Sequence, residues 1–165
     1  MVRFVTRRFI SEYSSDKHQF YEHDVEYSDG ENHRFEILDL SNSVLKNAQD
    51  SKDEKEYEDH IRWGDAFMLL FSVVDKTSFD EATRLAFQIH LFHRNSSPKP
   101  VVALIATKTD LPEEHRVIFE KEGRSLAESI GARYHEVSTS ESYADVERIF
   151  RESADLSRFS MVKVR

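Results

Sequence analysis

The chain contains no cysteine, and this absence excludes several kinds of chemistry. Without thiols there is no disulfide framework, no thiolate metal site, no cysteine nucleophile and no thioether lipid anchor. Glycine and proline are also scarce, with 4 Gly and 3 Pro in 165 residues, against a combined share of about 12% in average proteins. The four glycines stand apart, and the sequence contains neither G-x-x-x-x-G-K-[ST] nor G-x-G-x-x-G. The sequence therefore contains no glycine-rich loop that could bind phosphate.

No hydrophobic run is long enough to cross a membrane. The longest one, Ala66 to Phe71, is far shorter than the roughly 20 residues that a spanning helix requires. The net charge of −8 disfavours binding to nucleic acid or to acidic membranes, because like charges repel. With 165 residues, 39% of them hydrophobic, the chain fits one domain with one core. We expect a soluble, cytoplasmic monomer.

The first part of the chain shows a helical and then an extended pattern. Val2 to Ile10 carries apolar residues at helical spacing. Phe20 to Tyr27 and Arg34 to Leu40 are extended runs on either side of Asp29-Gly30, a step that favours a hairpin turn. Ser41 to Asp59 is polar and predicts a loop that leads into a solvated helix.

From Ala66 onward, the pattern alternates between strand and helix. The predicted strands are Ala66 to Val74, Val101 to Ala106 and Arg133 to Ser138. The predicted helices are Phe79 to His93 with Ser78 as its N-cap, the second half of Glu113 to Ile130 with Gly131 ending it, and Ser142 to Phe159. This order predicts an α/β fold with a parallel sheet and right-handed crossovers. His90 and His93 are interpreted as solvated histidines at a helix end, because two ligands do not make a metal site.

The residues that could carry chemistry follow the predicted strands. In a parallel α/β sheet, ligands bind beyond the carboxyl ends of the strands. Polar residues stand at four such ends: Asp39, Asp75, Thr107 to Asp110, and Ser138 to Ser140. We expect the functional site there.

Two of these segments resemble motifs of the Ras-type small GTPases. Thr107-Lys108-Thr109-Asp110 is similar to the family's Asn-Lys-x-Asp, and Ser138-Thr139-Ser140 to its Ser-Ala-Lys. The resemblance extends from Val2 to about Leu156. The segments Arg62 to Phe67 and Lys76 to Phe79 resemble the branch of Ras-like proteins that includes the Ras-related oestrogen-regulated growth inhibitor.

The resemblance implies a Ras-like P-loop NTPase fold, an α/β fold with a mostly parallel sheet, one β-hairpin and helices on both faces. The family's first strand and phosphate loop are absent from this sequence, so we expect a single G domain over residues 1–165 that is N-terminally incomplete. The missing strand would leave its two neighbours with unpaired edges. We therefore expect marginal stability unless an added strand fills the gap.

The family activity is binding of GTP and its hydrolysis to GDP with Mg²⁺, in a signalling switch. The resemblance implies that the nucleotide is held by residues at three strand ends: Asp39, Thr107, Lys108, Asp110, Ser138 and Thr139. It also implies that Mg²⁺ would be held by Asp16 and Asp39. A carboxylate at Asp110 can accept hydrogen bonds from the guanine N1–H and exocyclic amine, while the stem of Lys108 lies over the base.

The switch segments depart from the family pattern. Asp16 stands where the family has its Mg²⁺-binding Thr. Thr107 replaces the family's Asn, whose amide ties the loop of residues 107–110 to the rest of the nucleotide site. In the second switch, Asn42 replaces the glycine that contacts the γ-phosphate, and Ser43 replaces the Gln that orients the attacking water. Ser43 is too short for that role, so we assign no catalytic residue and expect hydrolysis by the family route to fail.

Three interpretations of function follow. The first is a degenerate Ras-family protein with weak or no nucleotide binding, and the second is an N-terminally truncated sequence of a functional GTP-binding switch. The third is a nucleotide-independent interaction module. Effectors or regulators are expected to contact Glu12–Asp16 and Ser41–Asp59. The last residues, Met161 to Arg165, contain no prenylation box, so we expect no prenyl anchor.

Overall fold

A computed structural model describes residues 1–9, 19–27, 30, 32–40 and 51–160. The helices are α1 (Val2–Thr6), α2 (Ser51–Trp63), α3 (Lys76–Phe92), α4 (Glu120–Ile130) and α5 (Tyr143–Ser160). The strands are β1 (Gln19–Glu26), β2 (Asn32–Asp39), β3 (Ala66–Ser72), β4 (Val101–Thr107) and β5 (Arg133–Val137), with a 3₁₀ turn at Glu113–His115. The chain divides into two compact units, the hairpin unit (Met1–His60) and the sheet unit (Ile61–Arg165).

The hairpin unit is built on the predicted pair of extended runs. β1 and β2 pair antiparallel from Gln19↔Asp39 to Glu26↔Asn32, which confirms the hairpin. Alternate residues point to opposite faces of the pair, and on one face the fully buried ring of Phe4 contacts His23 and Phe35 at centroid distances of 4.9 and 5.5 Å. α1 ends at Thr6 and does not continue toward Ile10, because Arg7 adopts a left-handed conformation with φ of 61°.

The sheet unit contains the three-stranded parallel sheet, in the order β3-β4-β5. β4 is the central strand, and its consecutive residues Ala103 to Ala106 are all buried. Such a continuous apolar run is typical of a strand that is covered on both faces. The predicted parallel sheet is confirmed, with strand boundaries within two residues of those expected.

Helices cover both faces of this sheet, as the contacts of two neighbouring residues on β5 show. The ring of Tyr134 faces α4, where the Arg124 guanidinium lies 5.3 Å from the ring centroid. The next residue, His135, faces α5, where its Nε2 lies 3.8 Å from Glu152 Oε2. Consecutive strand residues point to opposite faces, so α4 and α5 lie on opposite sides. α3 packs beside α4.

Two predictions at the ends of α3 are wrong. The N-cap is Asp75, whose Oδ1 accepts hydrogen bonds from Thr77 N at 2.9 Å and Ser78 N at 3.3 Å. Ser78 lies within the first turn, where its hydroxyl accepts a hydrogen bond from Ser72 N at 2.9 Å. At the other end His93 is buried and not solvated, because its ring nitrogens bond to Ile61 O at 2.9 Å and to the Ser96 hydroxyl.

Candidate functional site

The loops after β4 and β5 lie at the carboxyl edge of the parallel sheet. Thr107 is the last residue of β4, and its hydroxyl donates to Phe71 O on β3 at 2.8 Å, while Val73 N donates to Thr107 O at 3.1 Å. The family's Asn is therefore replaced by a residue that makes its own tie between two strand ends. The loop after β4 therefore begins at a residue that is hydrogen-bonded to the neighbouring strand.

Lys108 to Asp110 form a turn just beyond Thr107. Lys108 has a φ of 62°, in the left-handed region that residues other than glycine rarely adopt, and Leu111 N donates to Lys108 O at 3.2 Å. Such backbone strain persists only where the surroundings impose it, and it is common at functional sites. The side chains of Lys108 and Asp110 are both exposed, so both are accessible to a ligand.

The loop after β5 meets this turn through two serines. The Ser140 hydroxyl donates to Asp110 Oδ2 at 3.1 Å and lies 2.8 Å from the Ser138 hydroxyl. Ser138 is buried, and its hydroxyl oxygen accepts a hydrogen bond from Glu141 N at 3.2 Å. Thr139 lies between them and is half-buried. The structure thus brings together five of the residues that sequence analysis singled out: Thr107, Lys108, Asp110, Ser138 and Thr139.

The Asp110 carboxylate is held in its charged form. The hydrogen bond from Ser138, together with those from its own backbone N–H and from Ser140, places the pKa of Asp110 below its usual value. The Asp110 side chain is exposed, so its oxygens are accessible to a ligand that presents two N–H donors side by side. The Watson–Crick edge of guanine is such a ligand.

A group of side chains that sequence analysis missed lies beneath this edge. The Arg116 guanidinium pairs with both carboxylate oxygens of Glu136, and the Tyr134 hydroxyl donates to Glu136 Oε1 at 2.7 Å. Burial by itself would raise the pKa of Glu136, but the hydrogen bonds from Arg116 and Tyr134 outweigh it, and the pKa is lowered. Burial, followed by the bond to Glu136, raises the pKa of Tyr134. The sequence signal for this group was Glu136, a charged residue within strand β5, because a charge removed from water needs a partner.

The expected metal ligands are not brought together by the residues described. Asp39 is the last residue of β2 in the hairpin unit. Burial lowers the pKa of the Met1 amino group, and the charge of Asp39 offsets part of this lowering. Asp16 and the rest of Glu12–Asp16 lie outside the described residues, as do residues 41–50 of Ser41–Asp59. Within the described part of the chain, no three His, Asp or Glu side chains cluster so as to hold a metal ion. Asp39 alone does not define a Mg²⁺ site, and it stays a prediction.

Comparison with known proteins identifies the family. The model of the Ras family matches residues 1–158, nearly the whole chain. The chain belongs to the Ras family. This result confirms the resemblance drawn from Thr107–Asp110 and Ser138–Ser140, and the α/β Ras-like fold with its parallel sheet and hairpin agrees with it.

The similar proteins belong to the branch indicated by the sequence. The chain is 32% identical to Ras-like protein family member 11B of Xenopus tropicalis over 151 residues, covering 92% of this chain and 59% of the relative. It is 34% identical to the Danio rerio protein of the same name over 161 residues (96% and 63%). It is 31% identical to the human Ras-related and estrogen-regulated growth inhibitor over 153 residues (92% and 70%). The chain spans about three fifths of the length of the family member 11B proteins.

The helices of this Ras-family chain give no sign of a membrane segment. Among the residues for which the structure gives a position, none of the helices has the length and apolar character needed to span a bilayer.

Proposed function

We propose that this Ras-family chain recognises guanine nucleotides through its two base loops, Thr107–Asp110 and Ser138–Ser140, and acts as a signalling domain with weak nucleotide binding and without family-type hydrolysis. The observation that supports the proposal most is the Asp110 carboxylate. It is exposed, charged and oriented by the hydroxyl of Ser140, with Ser138 buried behind it.

The chemistry of the base gives this carboxylate its selectivity. Guanine presents an N1–H and an exocyclic amine side by side, and Asp110 can accept a hydrogen bond from each. Adenine has a bare N1 acceptor at the same place, which a carboxylate repels. The aliphatic stem of Lys108 adds apolar contact to the face of the ring. The left-handed backbone conformation at Lys108 fixes the direction from which this side chain approaches the base.

The phosphate side is expected to contribute little. The sequence contains no glycine-rich loop with its Lys and Ser/Thr, and those groups supply most of the charge-assisted hydrogen bonds to phosphates in this family. We therefore expect affinity for GDP no tighter than roughly millimolar. Hydrolysis is expected to be negligible, because Ser43 cannot orient a water and Asp16 adds negative charge beside the γ-phosphate. Both positions lie outside the described residues.

The proposal is tested by a titration that compares two bases and two aspartates. ¹H–¹⁵N spectra of the chain should shift at Lys108–Leu111 and Ser138–Ser140 with Mg·GDP, and to a much smaller extent with Mg·ADP. Asp110→Ala should abolish the difference between the bases. Asp80→Ala, an exposed aspartate paired with Lys76 on α3, is the matched control and should retain it.

Two results would contradict the proposal. Equal shifts with GDP and ADP would show that the loops do not read the base. Submicromolar GDP affinity would show that groups other than the two base loops hold the phosphates, and that the weak-binding argument is wrong.

A second proposed role is contact with effector or regulator proteins, as is general in the Ras family. The described part of the segment Ser41–Asp59, residues 51–59, forms the first nine of the 13 residues of α2. Tyr57 and Ile61 form a buried stripe at a spacing of four residues, while Lys55, Glu56 and Asp59 are exposed. The exposed, mixed-charge face is the part of α2 that a protein partner would contact, and this role requires no nucleotide. A single domain over residues 1–165 and a cytoplasmic location belong to the same proposal.

A further inference from the structure

Residues 111–119 join the Asp110 turn to α4 with only one turn of 3₁₀ helix, Glu113–His115. A segment with so few internal hydrogen bonds takes its path from contacts with the rest of the fold. On the β3 side, the backbone N–H groups of Val117 and Ile118 both donate to Val73 O, at 2.9 and 3.0 Å. On the β5 side, the contact is made by Arg116.

Arg116 is held at three points. Its Nε donates to Ile118 O at 2.8 Å, its Nη1 to Glu136 Oε2 at 3.2 Å, and its Nη2 to Glu136 Oε1. A planar guanidinium bound in this way has one orientation. The Arg116 and Glu136 side chains are only 17% and 26% exposed, so solvent and salt screen this pair less than a surface ion pair.

Glu136 is in turn fixed by β5 and α4. The Tyr134 hydroxyl donates to it at 2.7 Å, and the Tyr134 ring packs against Gly123, where a Cβ would lie 2.4 Å from Cε2. Ser138 follows the last residue of β5, two positions after Glu136. The stretch from Glu136 to Ser140 thus contacts this part of the chain at two places, Arg116 through Glu136 and Asp110 through the Ser140 hydroxyl.

We propose that the Arg116–Glu136 pair positions the Asp110 carboxylate for recognition of the guanine base. The pair fixes the path of residues 111–119, and this path sets how Asp110 meets the two serine hydroxyls. Arg116 is a positioning residue, since it acts through Asp110 and touches no ligand itself. The consequence for nucleotide binding rests on the proposed function, whereas the effect on Asp110 can be measured without nucleotide.

The first test follows the Asp110 carboxyl by ¹³C NMR during a pH titration of the free protein. Arg116→Ala and Glu136→Gln should raise the pKa of Asp110 toward its ordinary value, because the hydroxyl contacts are lost. Arg116→Lys keeps the charge but not the bidentate geometry, and should give a smaller rise. Arg84→Ala, which breaks an exposed pair with Glu81 on α3, is the control and should give none.

The second test measures binding of Mg·GDP and Mg·ADP by the same proteins. Arg116→Ala should weaken GDP binding by about tenfold, the value of roughly one charge-assisted hydrogen bond, and leave ADP binding unchanged. If the Ala variant does not give a folded ¹H–¹⁵N spectrum, Arg116→Lys is read in the same way and should show the same direction of change.

The two proposals fail in different ways. An unshifted Asp110 pKa in folded Arg116 variants would overturn the positioning role, whatever the nucleotide data show. A shifted pKa in a protein that does not distinguish GDP from ADP would leave the positioning of Asp110 established and refute guanine recognition.

Discussion

The base loops and the hairpin unit are held by very different amounts of surrounding structure. The base loops extend from a three-stranded parallel sheet with helices on both faces, and their supporting residues Phe71, Leu104 and Val137 are buried. The hairpin is a single antiparallel pair, on which the buried ring of Phe4, from the five-residue helix α1, contacts His23 and Phe35.

The loops that we propose recognise the base extend from the larger core, and the hydrogen bond from the Ser140 hydroxyl to Asp110 connects them. Asp39, the remaining candidate for the phosphate side, is the last residue of β2. Its unit, the hairpin unit, has fewer buried hydrophobic residues among those described than the sheet unit has. Two-stranded hairpins are marginally stable on their own, so substitutions should affect the two regions unequally.

The largest expected effect is at the centre of the hairpin unit. Phe4→Ala removes a fully buried ring and should cost about 3–5 kcal/mol. We expect amide hydrogen exchange to show loss of protection in β1 and β2, with β3, β4 and β5 little changed. Leu104→Ala in the central strand is the counterpart and should lower protection throughout the sheet unit. If both variants lost protection evenly along the chain, the contrast between the two regions would be wrong.

A smaller effect is expected under the base loops, at Gly123 in α4. The Cβ of Gly123→Ala would lie 2.4 Å from Tyr134 Cε2 and 2.7 Å from its Cζ, and the Tyr134 ring cannot move freely because its hydroxyl is bound to Glu136. The overpacking should cost about 1–3 kcal/mol, partly offset by roughly 0.5–1 kcal/mol of helix propensity. Thermal unfolding measures the net loss. Ser125→Ala, exposed in the same helix, should not destabilise, and a Gly123→Ala protein as stable as the parent would contradict the packing described.

The smallest expected effect is a pH dependence of the sheet unit. Because the pKa of Glu136 is lowered in the folded protein, its contribution to stability is present above the unfolded value of about 4.3 and is lost as the pH falls through the folded value. Denaturant unfolding of Glu136→Gln should therefore show a shallower loss of stability on acidification below about pH 5 than the parent. Tyr134→Phe, which removes one of the bonds to Glu136, should give an intermediate slope. Identical slopes in all three proteins would show that the Arg116 and Tyr134 contacts do not set the titration of Glu136.

Local patterns predicted much of the fold and part of the site. Apolar runs predicted β3 and β4, the alternation of strand and helix predicted β5, and the Asp29-Gly30 step predicted the hairpin, because these patterns depend on neighbours in sequence. Lys108, Asp110 and Ser138 were found because they follow two strands that lie side by side.

Other features depend on geometry that the sequence does not show. Asp75 and Ser78 are both good N-cap residues three positions apart, and the choice of Asp75 follows from Ser78 being used by Ser72 N. His93 is buried because the Ile61 carbonyl, 32 residues away, accepts a hydrogen bond from its ring. The pairing of Arg116 with Glu136 spans 20 residues, and only the path of the intervening helix brings them together.

The measurement that tests guanine recognition most directly is a change of base preference at Asp110. Xanthine carries a carbonyl where guanine carries its exocyclic amine, so an asparagine amide can accept from N1–H and donate to that carbonyl. In Asp110→Asn, binding of Mg·GDP should weaken by about tenfold or more, while binding of the xanthine diphosphate should strengthen. A variant whose preference among guanine, xanthine and adenine diphosphates matches that of the parent would contradict the account.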